Sequence, residues 1–256
     1  MIELSVNLNK IALLRNSRGG ERPSIVEAAE IAVNAGAYGI TVHPRPDMRH
    51  VRPRDVMDLA KLLRARHPGI ELNIEANPFA AAAASGYPGF DALIDSARPD
   101  QCTLVPDNDA QLTSDHGWDL TRDTAPLRDA IARYRSWGAR VSLFLDPDLA
   151  QVERASRVGT QRIELYTGPF AESVSVHGVA SSQAHASLQT YARAAHLAAE
   201  LGLGVNAGHD LDLENLPLFR GIAEVLEVSI GHALIDDALW VGLAAAVAAY
   251  LRALRG

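Results

Sequence analysis

Eight short strand-like runs alternate with longer helical patterns along this chain, and that alternation leaves few folds open. The runs lie at 3–7, 38–43, 70–75, 101–105, 140–145, 161–166, 203–207 and 226–230. The helical patterns lie at 24–35, 55–66, 120–137, 148–158, 187–201, 213–225 and 233–254. Eight strand–helix units in 256 residues predict an α/β fold, a (β/α)8 TIM barrel that forms one domain over residues 1–256. An open doubly wound sheet is the alternative.

Local signals mark the ends of these elements. Ser24 with Glu27 three residues later is typical of a capped helix start. The segments 106–119 and 167–186 are long for barrel connections, and we interpret the first as a lid over the site while leaving the second unassigned. The alanine-rich segment 79–85 is interpreted as packed helix.

Charge and composition limit the kinds of molecule that this protein is expected to bind. A formal net charge of −7 argues against a nucleic-acid binder, and no long uncharged apolar stretch predicts a membrane span. A single cysteine, Cys102, and an N-terminus without a secretory pattern predict a cytoplasmic protein. Only two lysines occur, whereas arginines cluster at 15–22 and 45–54, which suits phosphate recognition or simply a solvated charged face.

Polar residues alternate with apolar ones along strands that a parallel barrel normally fills with apolar side chains. The polar sets are Glu3, Ser5 and Asn7; Thr41 and His43; Glu71, Asn73 and Glu75; Arg162, Glu164 and Tyr166; and Glu227 and Ser229. They are expected to face the barrel interior, where they need each other or a ligand as partners. A structural salt network of Glu3, Glu71 and Arg162 is one reading of the lower layer.

At the carboxyl ends of the strands, where barrel enzymes carry their chemistry, the sequence collects amides, histidines and carboxylates. These residues are Asn7, Asn9, Lys10, His43, Arg45, Glu75, Asp146, Glu164, Thr167, His209 and His232. Histidine with buried glutamate is a general acid–base set. The last two strands both end in Gly-His, at Gly208–His209 and Gly231–His232, which suits a phosphate bound by backbone N–H groups.

A metal centre and a Schiff-base lysine are the competing chemistries. His43, Glu75, His209 and His232 include zinc-type ligands, but strand one carries no His-x-His pair and the neighbouring arginines suit anions better. Lys10 could form a Schiff base, although contact with substrate is the reading we favour.

Seven segments of the chain form an ordered set of motifs: SVNLNKIALLRNSRGG, GITVHPRPDMRHVRPRDV, CTLVPD, VSLFLDPD, RIELYTGPFAE, LGVNAGHDL and EVSIGHALI. Together they resemble the pyridoxine 5′-phosphate synthase family. The resemblance implies a TIM barrel with extra helices, assembled as a homo-octamer. It implies condensation of 1-deoxy-D-xylulose 5-phosphate with 3-amino-2-oxopropyl phosphate, giving pyridoxine 5′-phosphate, phosphate and water without a cofactor or metal.

The same resemblance implies roles for individual residues. His43 and Glu75 match proton acceptors, His209 matches a proton donor, and Glu164 matches a group that stabilises the transition state. The matched amino-ketone phosphate contacts are Asn7, Arg18, His209, Asp210, Gly231 and His232. The matched deoxyxylulose phosphate contacts are Arg45, His50 and Thr113.

Two positions depart from the family pattern. Asn9-Lys10 stands where many members have Asp-His, and Asp210 stands where many have Gly. Asn9 and Lys10 are therefore expected to contact the deoxyxylulose in a different way. Two further functions stay open at this point: a barrel aldolase or isomerase that acts on a single sugar phosphate, and a phosphate-binding barrel without catalysis.

Overall fold

The strands close into one parallel barrel in the order of the sequence. The computed structural model describes residues 1–108 and 110–256. The strands are β1 (Glu3–Asn7), β2 (Gly39–Val42), β3 (Glu71–Ala76), β4 (Gln101–Leu104), β5 (Arg140–Leu145), β6 (Arg162–Tyr166), β7 (Gly204–Gly208) and β8 (Val225–Ile230). Each strand pairs with the next, and β8 pairs with β1, so the predicted TIM barrel is confirmed and the open sheet is excluded.

Helices follow the strands on the outside of the barrel. They are α1 (Asn9–Asn16), α2 (Ile25–Asn34), α3 (Pro53–Arg66), α4 (Phe90–Ala97), α5 (Ala125–Ser136), α6 (Leu149–Val158), α7 (Gly168–His177), α8 (Ser182–Glu200), α9 (Leu216–Phe219), α10 (His232–Val241) and α11 (Leu243–Arg255). Two helices follow each of β1, β6 and β8, which confirms the extra helices. Ser24 caps α2 by accepting a hydrogen bond from the Glu27 backbone N–H at 3.2 Å. None of the described helices has the length and apolar composition that crossing a bilayer requires.

Several helix predictions were wrong, and each error has a local cause. Residues 79–85 form no helix: their alanines are mostly exposed, so no apolar stripe is buried, and Ala82 makes an isolated bridge to Pro88. The pattern at 233–254 is two helices, because Gly242 adopts a left-handed φ of 84° between them.

Two further segments also differ from the prediction. The segment 213–225 holds only the short α9, and the segment 167–186 holds α7 and the start of α8. Gly178, with φ of 85°, follows the last residue of α7 and allows the chain to turn into α8. The first helical turn of the predicted helix 120–137 is absent, since α5 begins at Ala125.

Two residue layers follow from the alternation along the strands. Apolar side chains such as Leu4, Val6 and Ile74 are fully buried under the helices. The side chains on the other face of the strands point into the barrel and form hydrogen bonds with one another. For example, Oγ of Ser5 lies 2.7 Å from Oγ1 of Thr41. The barrel interior is therefore polar, as predicted.

The lower layer is an ionic network, although its members differ from those we predicted. Arg140 pairs with Glu71, and Arg162 pairs with Glu227 at 2.9 Å. Glu3 is exposed and belongs to no described ion pair, because it lies at the very start of β1, outside the barrel interior. Arginines from β5 and β6 thus neutralise carboxylates from β3 and β8.

Candidate active site

Three strands bring His43, Glu75 and Glu164 into one buried space at the C-terminal mouth of the barrel. His43 directly follows β2, Glu75 is the next-to-last residue of β3, and Glu164 lies in the middle of β6. All three residues are buried. Nδ1 of His43 lies 3.9 Å from Oε2 of Glu75. The structure therefore assembles three of the four predicted acid–base residues.

The protonation states of His43 and Glu75 are set by burial. Burial and the nearby Asp107 carboxylate raise the pKa of Glu75 to about 8, although Arg45 opposes this shift. Burial, followed by the charge of Arg45, lowers the pKa of His43 well below its usual value. At pH 7 the pair is a protonated carboxylic acid beside a neutral imidazole, not an ion pair. One group can donate a proton while the other accepts one.

Glu164 is more deeply buried than Glu75, with 3% of its surface exposed. Burial raises its pKa well above the usual value, and the negative charge of Glu75 adds to the shift. Its Oε2 accepts a hydrogen bond from Thr103 at 3.2 Å. A Cβ at Gly208 would lie 2.6 Å from Oε1 of Glu164, so the glycine provides the space that the carboxyl group occupies.

His209 is held from both ring nitrogens at the end of β7. Nε2 lies 2.8 Å from Oγ1 of Thr113, and Nδ1 lies 2.7 Å from Oδ2 of Asp210. His209 and Asp210 both have left-handed backbone, with φ of 88° and 57°. Such conformations are strained for residues other than glycine and occur preferentially at functional sites. The structure therefore joins the predicted residues Thr113, His209 and Asp210 into one cluster.

Asn7, the last residue of β1, and Asn9, at the start of α1, position the acid–base pair. Nδ2 of Asn7 donates a hydrogen bond to Oε2 of Glu75 at 3.3 Å, and Oδ1 of Asn9 accepts one from the His43 backbone N–H at 2.8 Å. Lys10 makes no ion pair with any carboxylate in the described part of the chain. Its charge acts instead on His50 and Asp210, whose pKa values it helps to lower.

Arg45 and His50, the predicted sugar-phosphate contacts, are both buried in the loop between β2 and α3. Arg45 donates hydrogen bonds to Asp107 and, at 3.4 Å, to the carbonyl oxygen of Gln111. Burial and the charge of Arg45 lower the pKa of His50 to about 3, so its imidazole is neutral. Its ring centroid lies 6.1 Å from that of His43.

Gly231 and His232 lie where α10 begins, which supplies the free N–H groups of a helix N-terminus. A Cβ at Gly231 would lie 3.1 Å from Cβ of Asn7, so this glycine lets the backbone approach strand β1. His232 is exposed at the mouth. Arg18, in the turn after α1, is also exposed, and the described residues give its side chain no hydrogen bond to the rest of the site.

A cavity of about 380 Å³ opens beside these groups. His43, Arg45 and Asp107 line one side of it, and the segment 80–83 lines the other. A second cavity, of about 810 Å³, lies at the opposite end of the barrel beside Glu71 and contains none of the predicted site residues. Within the described residues, no group of three or more His, Cys, Asp and Glu side chains is placed to hold a metal ion.

Sequence reasoning gave no role to three residues that shape the site, Thr103, Asp107 and Ser114, and it predicted only that Tyr166 faces the barrel interior. The ring of Tyr166 packs edge-on against His209 at 5.2 Å. Asp107 was the most accessible to prediction, because it follows β4 as the other site residues follow their strands. Ser114 gave no signal, since the contacts it makes depend on how a long loop folds back.

Comparison with known proteins gives a consistent result over the whole chain. A family model described as "Pyridoxal phosphate biosynthesis protein PdxJ" matches residues 4–256. A protein from Xanthomonas axonopodis pv. citri, named pyridoxine 5′-phosphate synthase, is 53% identical over 99% of this chain and 96% of its own length. A protein of the same name from Xylella fastidiosa is 54% identical over 97% of this chain and 93% of its own.

Similarity to solved structures is more distant. Thiamine phosphate pyrophosphorylase from Pyrococcus furiosus has a TM-score of 0.61 at 11% identity, over 99% of this chain and 95% of its own. Phosphoribosyl anthranilate isomerase from Thermotoga maritima has a TM-score of 0.58 at 10% identity, over the full length of both. These similarities show the barrel fold alone.

Proposed function

Since the chain belongs to the pyridoxine 5′-phosphate synthase family and has that activity, we propose that the buried groups at its barrel mouth carry out the condensation. The substrates are 1-deoxy-D-xylulose 5-phosphate and 3-amino-2-oxopropyl phosphate. The observation that carries the proposal is the neutral pair of His43 and Glu75, whose side chains are 3.9 Å apart. Glu164 on β6 and His209 after β7 lie at the same mouth of the barrel.

The reaction requires one group that donates a proton to the substrates and another that accepts a proton from them, both in the same pocket. The primary amine adds to the sugar ketone, and the resulting carbinolamine loses water, which needs a proton on the leaving oxygen. Protonated Glu75 can donate that proton, and neutral His43 can accept the one that leaves the carbon next to a carbonyl or imine. Once Glu75 has lost its proton, it can act as an acceptor in turn. Holding both substrates together supplies a further large part of the rate.

Two phosphate groups must be bound, and the residues fall into two sets. Arg45 and His50, with Thr113, are proposed to bind the deoxyxylulose phosphate. Asn7, Arg18 and the start of α10 at Gly231 and His232 are proposed to bind the amino-ketone phosphate together with His209 and Asp210. His209 is proposed to donate the proton that assists departure of the sugar phosphate. Asn9 acts through the backbone of His43, while Lys10 supplies positive charge between the two sets.

Self-association as a homo-octamer in the cytoplasm is part of the proposal. The support comes from exposed apolar side chains on α1 and α10, two helices that pack against each other. These side chains are Leu13, Leu14, Leu239, Trp240 and Val241, and Trp240 is 79% exposed. We call them the α1–α10 patch. A second copy bound at this patch would lie near Arg18, two residues after the end of α1.

The test combines both substrates with metal-free protein and measures pyridoxine 5′-phosphate by mass spectrometry. The wild-type protein should form product only when both substrates are present. His43→Ala and Glu75→Gln should lose at least about a hundredfold in kcat, the scale of one general acid–base step. His196→Ala and Glu200→Gln, both exposed on α8, are the matched controls and should retain activity.

The alternative functions give different results in the same assay. Consumption of one phosphosugar alone, or borohydride trapping of an adduct on Lys10, would support a barrel aldolase or isomerase. Binding without product would support a phosphate-binding barrel. Full activity of either His43→Ala or Glu75→Gln would remove the proposed roles of these residues.

A further inference from the structure

Asp107 is a buried carboxylate at the barrel mouth that none of the predicted roles includes. It lies in the loop after β4, and its side chain is 4% exposed. Oδ2 accepts hydrogen bonds from the guanidinium of Arg45 and, at 2.7 Å, from Oγ of Ser114. Oδ1 has no hydrogen-bond partner among the residues that the structure describes. A carboxylate in such a place needs a reason, because burial without full pairing is unfavourable.

We propose that Asp107 is a positioning residue, which holds the guanidinium of Arg45 in the orientation that binds the sugar phosphate and ties it through Ser114 to the loop that carries Thr113. The inference rests on the proposed function, since it deepens the role of the same site. Asp107 itself is not proposed to contact the reacting atoms.

Asp107 fixes the orientation of the Arg45 guanidinium. A guanidinium binds phosphate through two parallel N–H bonds, so the plane in which it lies decides how well it binds. The only other described contact of the Arg45 guanidinium is the Gln111 carbonyl oxygen at 3.4 Å, a long hydrogen bond. Asp107 is therefore the main group that holds the plane of the guanidinium and compensates its buried charge.

Asp107 also connects Arg45 to the region around Thr113, the other predicted contact to the sugar phosphate. Ser114, bonded to Asp107, is the neighbour of Thr113, whose Oγ1 lies 2.8 Å from Nε2 of His209. Arg45 and Thr113 reach the mouth from different loops, after β2 and after β4. The Asp107 carboxylate joins these loops, so the two predicted contacts to the sugar phosphate have a fixed relative position.

The charge of Asp107 also acts on Glu75. After burial, it is the largest cause of the raised pKa of Glu75. Asp107 and His43 also line the same cavity of about 380 Å³. A change at Asp107 should therefore alter both the binding of the sugar phosphate and the pH dependence of the reaction.

The test measures kcat and KM for each substrate in Asp107→Asn, with Asp115→Asn as the control. Asp115 is in the same loop but is exposed, and it contacts Gln111 and His116. We expect Asp107→Asn to raise KM for the deoxyxylulose phosphate about tenfold or more, the scale of one charge-assisted hydrogen bond. KM for the amino-ketone should change little. Asp115→Asn should match the wild-type protein.

A pH profile separates positioning from a general structural defect. Loss of the Asp107 charge should lower the pKa of Glu75, so the alkaline limb of kcat/KM, along which the protonated form of Glu75 is lost, should move to lower pH in Asp107→Asn. Asp107→Glu keeps the charge and should keep the wild-type limb. In an Arg45→Ala background, Asp107→Asn should raise KM no further, because the residue acts through Arg45.

Some outcomes would overturn the proposal. Additive losses with Arg45→Ala, or an unchanged KM for the deoxyxylulose phosphate, would show that Asp107 does not act through Arg45. If Asp107→Asn fails to fold by circular dichroism, Ser114→Ala takes its place: it removes one bond of the same carboxylate and should raise the same KM by a smaller factor. An unchanged KM in Ser114→Ala would then overturn the proposal.

Calorimetric binding of the deoxyxylulose phosphate alone distinguishes this inference from the proposed function. A wild-type protein that binds the sugar phosphate but makes no product with both substrates would refute the function. A wild-type protein that makes product, with an Asp107→Asn variant that binds the sugar phosphate equally well, would refute the inference alone.

Discussion

Glu71 and Glu75 lie at opposite ends of strand β3, and their surroundings move their pKa values in opposite directions. Burial raises the pKa of Glu71, but hydrogen bonds from Arg140 and Tyr38 more than offset this, so its pKa is lowered. Among the described residues, the amide of Asn7 is the one hydrogen-bond donor to Glu75, and the pKa of Glu75 rises to about 8. The same side chain is thus a structural anion at the bottom of the barrel and a protonated acid at its mouth.

This contrast predicts stability changes of opposite sign. Glu75 titrates near 4.5 in the unfolded chain and near 8 in the folded one, so its contribution is fully present below pH 4.5 and is lost as pH rises to 8. Glu75→Gln should therefore be more stable than the wild-type protein at pH 8, by a few kcal/mol or roughly 5–10 °C in Tm. The difference should shrink toward pH 4.5 in thermal unfolding curves.

Glu71→Gln is the matched control on the same strand. Because the pKa of Glu71 is lower in the folded protein than in the unfolded chain, its ionised carboxylate stabilises the fold at pH values above the unfolded pKa, and this contribution is lost as pH falls. Glu71→Gln should therefore be less stable than the wild-type protein at pH 8. A loss of stability at pH 8 in Glu75→Gln as well would contradict the assignment of a protonated Glu75.

At the scale of elements, α1 and α3 are joined by a buried ion pair beneath the loop that carries His50. Arg15 contacts both carboxylate oxygens of Asp55, at 2.6 and 2.8 Å. Asp55 also accepts a hydrogen bond from the Arg52 backbone N–H at 2.7 Å, at the start of α3. Nη2 of Arg15 donates to the His50 carbonyl oxygen at 3.2 Å. The pair therefore fixes the loop from both helices.

Asp55→Asn should lower the free energy of unfolding by about 3–5 kcal/mol, because it leaves the buried Arg15 guanidinium without its charge partner. Asp58→Asn, on the same helix, breaks only an exposed pair with Arg54 and should change it by less than about 1 kcal/mol. Urea unfolding of both variants measures the difference. Equal changes in the free energy of unfolding would show that the buried pair contributes no more to stability than the exposed one.

At the scale of the whole molecule, each of the described barrel strands pairs on both edges, so the outer helices are the surfaces on which we expect self-association. Exposed apolar side chains in a contiguous patch are typical of an interface. The α1–α10 patch collects exposed apolar side chains from two helices that pack against each other.

Trp240→Glu should convert the assembled wild-type protein to a smaller species in sedimentation velocity, because it places a charge in an apolar contact. Val176→Glu is the control, since Val176 is 66% exposed on α7, outside the patch. Its assembly should be unchanged. A monomeric wild-type protein, or an intact Trp240→Glu assembly, would contradict an interface at the patch.

Much of this protein could be predicted from the pattern of its residues. Short strand-like runs between helical patterns predicted the eight strands, and the two-residue alternation along five of them predicted their inward faces and the acid–base residues at their ends, because strand geometry is local. The helix α1 was missed since its buried face holds Arg15 while Leu13 and Leu14 are exposed, which reverses the usual pattern. Ser24 was found because a helix cap depends only on its neighbours in the chain.

What the tertiary structure decided was which groups meet and which carry a proton. Asp107 reaches Arg45 across 62 positions of the chain, and Thr113 reaches His209 across 96, so no local pattern could show either contact. The pKa of a buried carboxyl depends on the loss of water and on charges from other strands, both of which exist only after the barrel closes. The residue types of the site were therefore readable in the chain, whereas their protonation and mutual positions came from folding.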